Sequence, residues 1–154
     1  KEDKVVCICG HNQQMYDNLQ TTFANDKQLC LLGFTDQVSL LMDASDVIFT
    51  KPGGITSTEA IVKNIPIVHT APIPGLENYN ARFFHNHGLS YHTNDTNQQV
   101  AIAMRLCEDK AFRNRMLQQQ RLNSNPHTSD DVIDLILNKQ EIVYEEQETT
   151  HIAR

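Results

Sequence analysis

The sequence of 154 residues carries a formal net charge of −6 and 40% hydrophobic residues, which suits one globular domain with a core of its own. It holds no run of about 18 apolar residues, so no membrane-spanning helix is expected. The acidic balance argues against nucleic acid as the main partner, because phosphate backbones bind basic surfaces. The chain enters its first apolar run at Val5 without the apolar stretch of a signal peptide, and this abrupt start favours a piece of a longer protein.

Short apolar runs alternate with amphipathic stretches along the first ninety residues. The predicted strands cover 5–9, 29–32, 47–49, 65–68 and 89–92. Between them the sequence predicts a helix capped by Asn12, a short helix capped by Asp36, a helix that opens at Ile55 or Thr56, and a helix over 77–86 closed by Gly88. The remainder is predicted to be helical, over 97–107, 110–122 and 129–138. An acidic tail over 141–154 is expected to fray, which leaves residues 1–140 as the domain.

Strands that alternate with helices at this spacing predict an α/β fold, a Rossmann-like parallel sheet flanked by helices on both faces. In such sheets, ligands bind beyond the carboxyl ends of the strands. Three loops leave that edge, at 33–36, 50–54 and 70–77, and they have the densest glycine, proline and polar content of the chain. The sequence therefore places the candidate site there.

The four cysteines and two histidines are the obvious candidates for a metal site. The cysteines are Cys7, Cys9, Cys30 and Cys107. They have neither zinc spacing nor a disulfide pattern, so buried thiols in a reducing cytoplasm are expected. His85 and His87 lie two residues apart and would not share a helix face. No metal site is predicted.

The stretch from Lys51 to Ala60, K-P-G-G-I-T-S-T-E-A, is the most informative. Adjacent glycines allow a sharp turn and a close approach to a ligand, and a helix start offers unpaired amides that suit a phosphate. Glu59, one turn later, is placed to accept hydrogen bonds from sugar hydroxyls. An ordinary strand-to-helix turn in which Thr56 merely caps the helix remains an equal alternative.

Three motifs in register carry a resemblance to a known family. They are G-F-T-D at 33–36, A-S-D-V-I-F-T-K-P-G-G-I-T-S-T-E-A at 44–60, and P-I-P-G-L-E-N-Y-N-A at 72–81. Over roughly residues 4–125, the chain resembles the C-terminal, donor-binding half of a GT-B glycosyltransferase. The group concerned contains MurG, plant monogalactosyldiacylglycerol synthase and the bacterial processive diacylglycerol glucosyltransferases. The K-P-G-G and P-I-P-G sequences favour the diacylglycerol branch.

The resemblance implies a UDP-sugar donor and assigns its contacts. Phe34 and Thr35 match the turn that meets the uracil, and Glu59 matches the carboxylate that bridges the ribose hydroxyls. The positions that hold the diphosphate and approach the sugar are matched by Gly53, Gly54, Ile55 and Thr56. The loop that reads the sugar hydroxyls is matched by the segment that contains Gly75, Leu76, Glu77 and Asn80. Leu76 stands where the family usually has glutamine, which bears on the identity of the sugar.

The function implied is inverting hexosyl transfer from UDP-glucose or UDP-galactose to a diacylglycerol-type lipid. The amino-terminal domain of such enzymes supplies the acceptor site, the membrane contact and the catalytic base. The present chain is expected to lack it, together with the first strand and glycine-rich loop of the donor domain. We therefore assign no catalytic residue here, and we expect no cofactor and no turnover by the chain alone. The whole protein is expected in the cytoplasm, peripheral to the inner membrane face.

Three other functions remain open at the level of sequence. Leu76 favours a degenerate sugar-nucleotide-binding module without transferase activity. A MurG-type transferase acting on a peptidoglycan precursor and a UDP-sugar epimerase are the others. Lys51 is either an added positive charge for the diphosphate or a solvated lysine, and His69, at the end of a predicted strand, is more often a packed side chain than an acid or base.

Overall fold

The computed structural model describes residues 3–137, and these residues form an α/β fold of five strands and seven helices. The strands are β1 (Val5–Ile8), β2 (Leu29–Leu32), β3 (Ile48–Thr50), β4 (Ile67–His69) and β5 (Tyr91–His92). The helices are α1 (Gln13–Thr22), α2 (Val38–Asp43), α3 (Gly54–Val62), α4 (Leu76–Asn86), α5 (Thr96–Glu108), α6 (Lys110–Asn123) and α7 (Thr128–Leu137). The predicted acidic tail lies outside the described residues. Every predicted strand and helix within them is present, with ends that differ by a few residues.

All the strand pairs are parallel, as the alternation of strands and helices predicts, but they form two sheets. β1 pairs with β2, with Val5 opposite Leu29. The second sheet has the order β3-β4-β5, with Ile48 opposite Ile67 and Val68 opposite Tyr91. Because every strand points the same way within its sheet, the loops that follow the strands leave from common edges.

The core lies around β4, which is buried along its whole length. Side chains alternate between the two faces of a strand, so Ile67 and Val68 enter different clusters. Ile67 packs with residues of α3 and α4. Val68 packs with residues of α5 and α6, chiefly Leu106 and Phe112. Burying a side chain of this size contributes about 1.5–3 kcal/mol, so this strand is the firmest support for the loops at its end.

The first sheet is packed much less closely, and here the prediction of a buried strand is wrong. Val5, Val6 and Ile8 are 55%, 46% and 41% exposed, and α1 has no buried residue. Of the cysteines, Cys9 is buried and Cys7 is half-buried, which raises the pKa of the Cys7 thiol, with a further contribution from Cys9. Cys30 and Cys107 are exposed, so the expectation of four buried thiols holds for only one. Within residues 3–137, α1 packs against β2, and no other helix makes a comparable contact with this sheet.

Two predicted helix starts had different outcomes. The Asn12 side chain accepts a hydrogen bond from the Met15 amide at 3.0 Å, so the cap of α1 is confirmed. The predicted Asp36 cap is wrong, because α2 begins one residue later, after Gln37, whose side-chain amide donates to the Asp36 carboxylate. No helix among residues 3–137 combines the length and apolar character needed to cross a bilayer.

Candidate functional site

The loops after β3 and β4 leave the second sheet side by side. Thr50 lies opposite His69 in the parallel register, and the Thr70 amide donates to the Thr50 carbonyl at 2.9 Å. The loop after β3 leads directly into α3, and the loop after β4 leads into α4. The two helix starts therefore flank one edge of the sheet.

The start of α3 is uncapped and open. The helix begins at Gly54, Gly53 occupies the N-cap position, and no side chain of the described residues caps it. The first intrahelical bond runs from the Ser57 amide to the Gly53 carbonyl at 3.3 Å, which leaves the amides of residues 54–56 without a helical acceptor. Thr56 lies inside the first turn, so the prediction that Thr56 caps the helix is wrong.

The space beside Gly54 is also open. A Cβ built on Gly54 would meet no atom within 4 Å, and Ile55 is 79% exposed. Glu59, one turn later, is exposed and does not enter the apolar core. Neither Gly53 nor Gly54 has a positive φ, so the glycines do not serve a sharp turn. What they provide is the absence of a side chain, which lets a ligand approach the backbone.

Glu77, near the start of α4, is bonded through both of its carboxylate oxygens. Oε1 pairs with the Lys51 ammonium at 2.9 Å, and Oε2 accepts from the Ile73 amide at 2.8 Å. The hydrogen bond from Ile73, followed by the contact with Lys51, lowers the pKa of Glu77 below its usual range. The Glu77 side chain is 15% exposed and that of Lys51 is 56% exposed. Oε1 lies 3.9 Å from the position of a Cβ on Gly53, so the ion pair adjoins the start of α3.

Asn80 ties α4 to the same loop one helical turn further on. Its side-chain amide donates to the Pro52 carbonyl at 3.0 Å. Between these contacts and the β4 loop, Gly75 has a φ of +112°, a conformation that favours glycine. Leu76, the first residue of α4, is 76% exposed. The 70–77 loop is thus anchored by the Glu77 side chain, and α4 presents a leucine to solvent.

His69 lies beneath the site rather than in it. It is fully buried, and its two ring nitrogens contact the hydroxyls of Ser57 at 3.0 Å and Ser90 at 2.9 Å. Burial, with a smaller contribution from His92, lowers the pKa of His69 to about 4. The ring is therefore neutral at neutral pH and joins the first turn of α3 to the segment before β5. Neither serine was identified from the sequence. Ser57 could have been found, because it directly follows Ile55 and Thr56, the residues predicted to open the helix.

Phe34 and Thr35 lie at the carboxyl edge of the first sheet. The Phe34 ring is 68% exposed and stacks on His11, with centroids 4.5 Å apart and 15° between the planes. Thr35 accepts from the Gln37 amide at 3.0 Å, which shapes the turn. His11 was missed by sequence reasoning. A usable signal was Gly10-His11, directly after the predicted strand 5–9, because parallel pairing with the strand 29–32 brings it close to Gly33-Phe34.

The structure therefore brings together the K-P-G-G loop, the start of α3 and the start of α4 through direct contacts. The Phe34-Thr35 turn belongs to the other sheet, where its ring partner is His11. Among residues 3–137, no group of three or more His, Cys, Asp or Glu side chains is arranged to hold a metal ion. The site offers backbone amides, an exposed carboxylate and an exposed aromatic ring.

Comparison with known proteins identifies a family and several proteins that are similar to this chain. The family described as "Glycosyl transferases group 1" matches residues 1–123. The processive diacylglycerol beta-glucosyltransferase of Staphylococcus carnosus (strain TM300) is 31% identical over 120 residues, which cover 78% of this chain and 31% of the relative. The chain spans about a third of the length of the curated relatives it matches.

Solved structures show the same fold. The crystal structure of Acinetobacter baumannii MurG matches with a TM-score of 0.62 and 22% identity, over 90% of this chain and 42% of that one. The Streptomyces sp. SF2575 glycosyltransferase SsfS6, complexed with thymidine diphosphate, matches with a TM-score of 0.57 and 15% identity, over 90% of this chain and 42% of that one.

Proposed function

The chain belongs to the group 1 glycosyl transferases, and on that premise we propose that it binds the UDP-sugar donor for inverting hexosyl transfer. The observation that carries the proposal is the open start of α3 followed by an exposed Glu59 one turn later. A diphosphate at this turn accepts hydrogen bonds from the amides of Gly54, Ile55 and Thr56, and the positive end of the helix dipole adds to the attraction. The Glu59 carboxylate then accepts from the ribose hydroxyls.

The uracil is assigned to the edge of the first sheet. Backbone groups at Phe34 and Thr35 meet the base, and the exposed Phe34 ring offers it an apolar surface. Recognition of the nucleotide is therefore shared between the two sheets, with the base at one and the ribose and diphosphate at the other.

Transfer requires the leaving diphosphate to be stabilised as its bond to the anomeric carbon breaks. Fixed amides at a helix start supply that stabilisation without reorganisation, since they already point at the developing charge. The acceptor hydroxyl attacks from the opposite face of the sugar, and a general base outside this chain takes its proton. His69 does not serve as that base, because it is fully buried and bonded to two serines.

The proposed acceptor is supported by the names of the relatives and not by residues of this chain. Proteins named processive diacylglycerol beta-glucosyltransferase recur among the curated matches at about 30% identity. We assign a diacylglycerol-type lipid as the acceptor of the whole protein, held by a further domain. For the whole protein we propose a location in the cytoplasm, peripheral to the inner membrane face.

Calorimetric titration with UDP and 2′-deoxy-UDP tests the nucleotide site. The wild-type chain is expected to bind UDP weakly and to prefer it over the deoxy analogue by about tenfold, the effect of a hydrogen bond to a charged group. Glu59→Ala is expected to remove this preference, because it weakens the binding of UDP and leaves the binding of 2′-deoxy-UDP unchanged. Glu108→Ala, at an exposed glutamate of α5, is the matched control and keeps it. No heat with UDP at millimolar concentration would refute the proposal.

A second candidate, a sugar-nucleotide-binding module without transferase activity, is favoured by one observation. The positions expected to read the sugar are occupied by an exposed leucine and a carboxylate that is already paired. A protein that contains this chain together with an acceptor domain decides between the two. Transfer of labelled glucose from UDP-glucose to diacylglycerol supports the enzyme, and UDP binding without transfer supports the module.

A further inference from the structure

The face of α4 that contacts the loop over residues 50–54, called the phosphate loop below, has two polar side chains engaged within the protein. Both carboxylate oxygens of Glu77 are bonded, one to the Lys51 ammonium and one to the Ile73 amide. The side-chain amide of Asn80 donates to the Pro52 carbonyl. These two residues lie three positions apart, on one face of α4, and both hold the loop that leads to Gly53.

Leu76 lies on the same face of α4, one turn before Asn80, and it has no polar atom. It is 76% exposed at the first position of α4. Ile73, in the loop before it, is 56% exposed, and its amide is already used by Glu77. A leucine excludes water from a sugar face but forms no hydrogen bond with a hydroxyl.

From this arrangement we propose that Glu77 and Asn80 are positioning residues, and that the site reads a nucleoside diphosphate closely but its hexose only weakly. The proposal rests on the proposed function, because it concerns the sugar half of the same donor. A hexose is read by side chains whose donors and acceptors are free to pair with its hydroxyls, and discrimination comes from leaving such groups unpaired with the wrong sugar. On this face of α4, the two polar side chains hold the backbone in place, and the third, Leu76, is apolar. UDP-glucose, UDP-galactose and UDP are therefore ligands of similar affinity.

The ion pair explains why Glu77 stays engaged. The carboxylate is anchored at both oxygens and its side chain is 15% exposed, so freeing it for a hydroxyl would break a charged contact and leave Lys51 without that partner. Exchanging a charged partner for a neutral hydroxyl loses binding, since hydrogen bonds between charged groups are the stronger ones. Glu77 therefore fixes the distance between the two loops, and a sugar meets the loops rather than the carboxylate.

Titration of the full 154-residue chain with UDP, UDP-glucose and UDP-galactose tests the proposal. The three dissociation constants of the wild type are expected to agree within about threefold. Leu76→Gln introduces an amide that can pair with a hydroxyl, so UDP-glucose is expected to bind about fivefold tighter than UDP in this variant. Leu122→Gln, at a leucine of α6 that is 70% exposed, makes the same exchange elsewhere and is expected to leave the ratio unchanged.

Glu77→Gln separates positioning from sugar contact. A positioning role predicts that all three ligands weaken by the same factor, because the phosphate loop loses its anchor, while their ratio stays near one. Thermal unfolding of each variant confirms that the chain is folded at the temperature of the titration. A sugar nucleotide that binds the wild type more than about threefold tighter than UDP overturns the weak reading of the hexose, and loss of that preference in Glu77→Gln overturns the positioning role.

The outcomes also separate this proposal from the proposed function. Binding of UDP together with a strong hexose preference overturns the weak reading of the sugar and leaves the nucleotide site intact. Absence of binding for all three ligands refutes the nucleotide site, and the inference about the sugar falls with it. An unchanged ratio in Leu76→Gln overturns the assignment of Leu76 as the position that limits hexose recognition.

Discussion

The first sheet with α1 and the second sheet with its helices have the same βαβ construction but very different packing. In the first, the strand residues Val5, Val6 and Ile8 are each more than 40% exposed, and Cys9 is the buried hydrophobic residue near their end. In the second, Ile67 and Val68 are fully buried between two clusters of side chains. Parallel pairing alone thus does not bury a strand. Burial requires helices on both faces, and among the described residues only the second sheet has them.

This difference divides the proposed nucleotide site into a firmly held and a loosely held part. The turn proposed to face the diphosphate follows β3 and is held from below by His69 and from the side by Glu77 and Asn80. The Phe34 turn depends on a two-stranded sheet and on the stacked ring of His11. Regions with few buried apolar contacts open more readily, so we expect the base side to be ordered by the ligand to a greater extent.

The largest contrast is expected from matched truncations in the two sheets. Ile67→Ala removes a fully buried side chain and is expected to cost about 2–5 kcal/mol of unfolding free energy. Ile8→Ala, at a site 41% exposed, is expected to cost less than about 1 kcal/mol. Urea unfolding of both variants measures the difference. Equal losses would show that the first sheet is buried as deeply as the second.

Acid is expected to weaken the second sheet through His69. Burial lowers the pKa of His69 from 6.5 to about 4, so the unfolded chain takes up the proton at a higher pH than the folded chain. The stability contributed by the neutral ring is therefore complete above pH 6.5 and is lost as the pH falls towards 4. The loss amounts to roughly 3 kcal/mol for a shift of this size.

The difference between wild type and His69→Asn isolates this effect, since the carboxylates are common to both proteins. Denaturant unfolding between pH 7 and pH 4.5 is expected to show a shallower fall for His69→Asn. Ser90→Ala is the control, because it removes one hydrogen bond but keeps the imidazole, and so retains the steeper fall. Parallel curves for wild type and His69→Asn would contradict the assignment.

Gly54→Ala separates binding from folding at the firmly held turn. Its Cβ meets no atom within 4 Å and the backbone is helical, so the fold is expected to be unchanged or stabilised by up to about 1 kcal/mol. The added methyl group occupies the space proposed for the diphosphate, and UDP is expected to bind about tenfold more weakly. Calorimetry and thermal unfolding measure the two effects. Undiminished UDP binding would place the diphosphate elsewhere.

The smallest effect is expected at the loosely held turn. Phe34→Ala removes an exposed ring, and stacking of a base on an aromatic side chain contributes about 1–3 kcal/mol. Part of that energy is spent in ordering the turn, so a loss of about fivefold in UDP affinity is expected. Phe23→Ala, 44% exposed at the end of α1, is the control in the same unit and keeps wild-type affinity. A larger loss of UDP affinity than in Gly54→Ala would contradict the proposed division into a firmly held diphosphate side and a loosely held base side.

Much of the candidate site could be predicted from the sequence, because the residue patterns that indicate it are local. Gly53-Gly54 between an apolar run and an amphipathic stretch predicts an open helix start, and Glu59 follows one turn later by helical spacing alone. The helix start itself was predicted one or two residues too late, because a glycine is a weak indicator of helix and can serve either as cap or as first residue. The prediction of an Asp36 cap failed for another reason: the Asp36 carboxylate accepts a hydrogen bond from the Gln37 side chain rather than from the helix amides.

What the sequence by itself determined was the order of strands and helices, their parallel direction and the edge at which the loops meet, because each follows from apolar periodicity and turn residues within a few positions. Only the tertiary structure decided which strands are buried, that Glu77 and Asn80 hold the loop over residues 50–54, and that His69 lies beneath α3 between two serines. These pairs are separated by 12 to 28 residues in the chain. Contacts at such distances are set by how the helices pack on the sheets, and no local pattern records which side chains meet there.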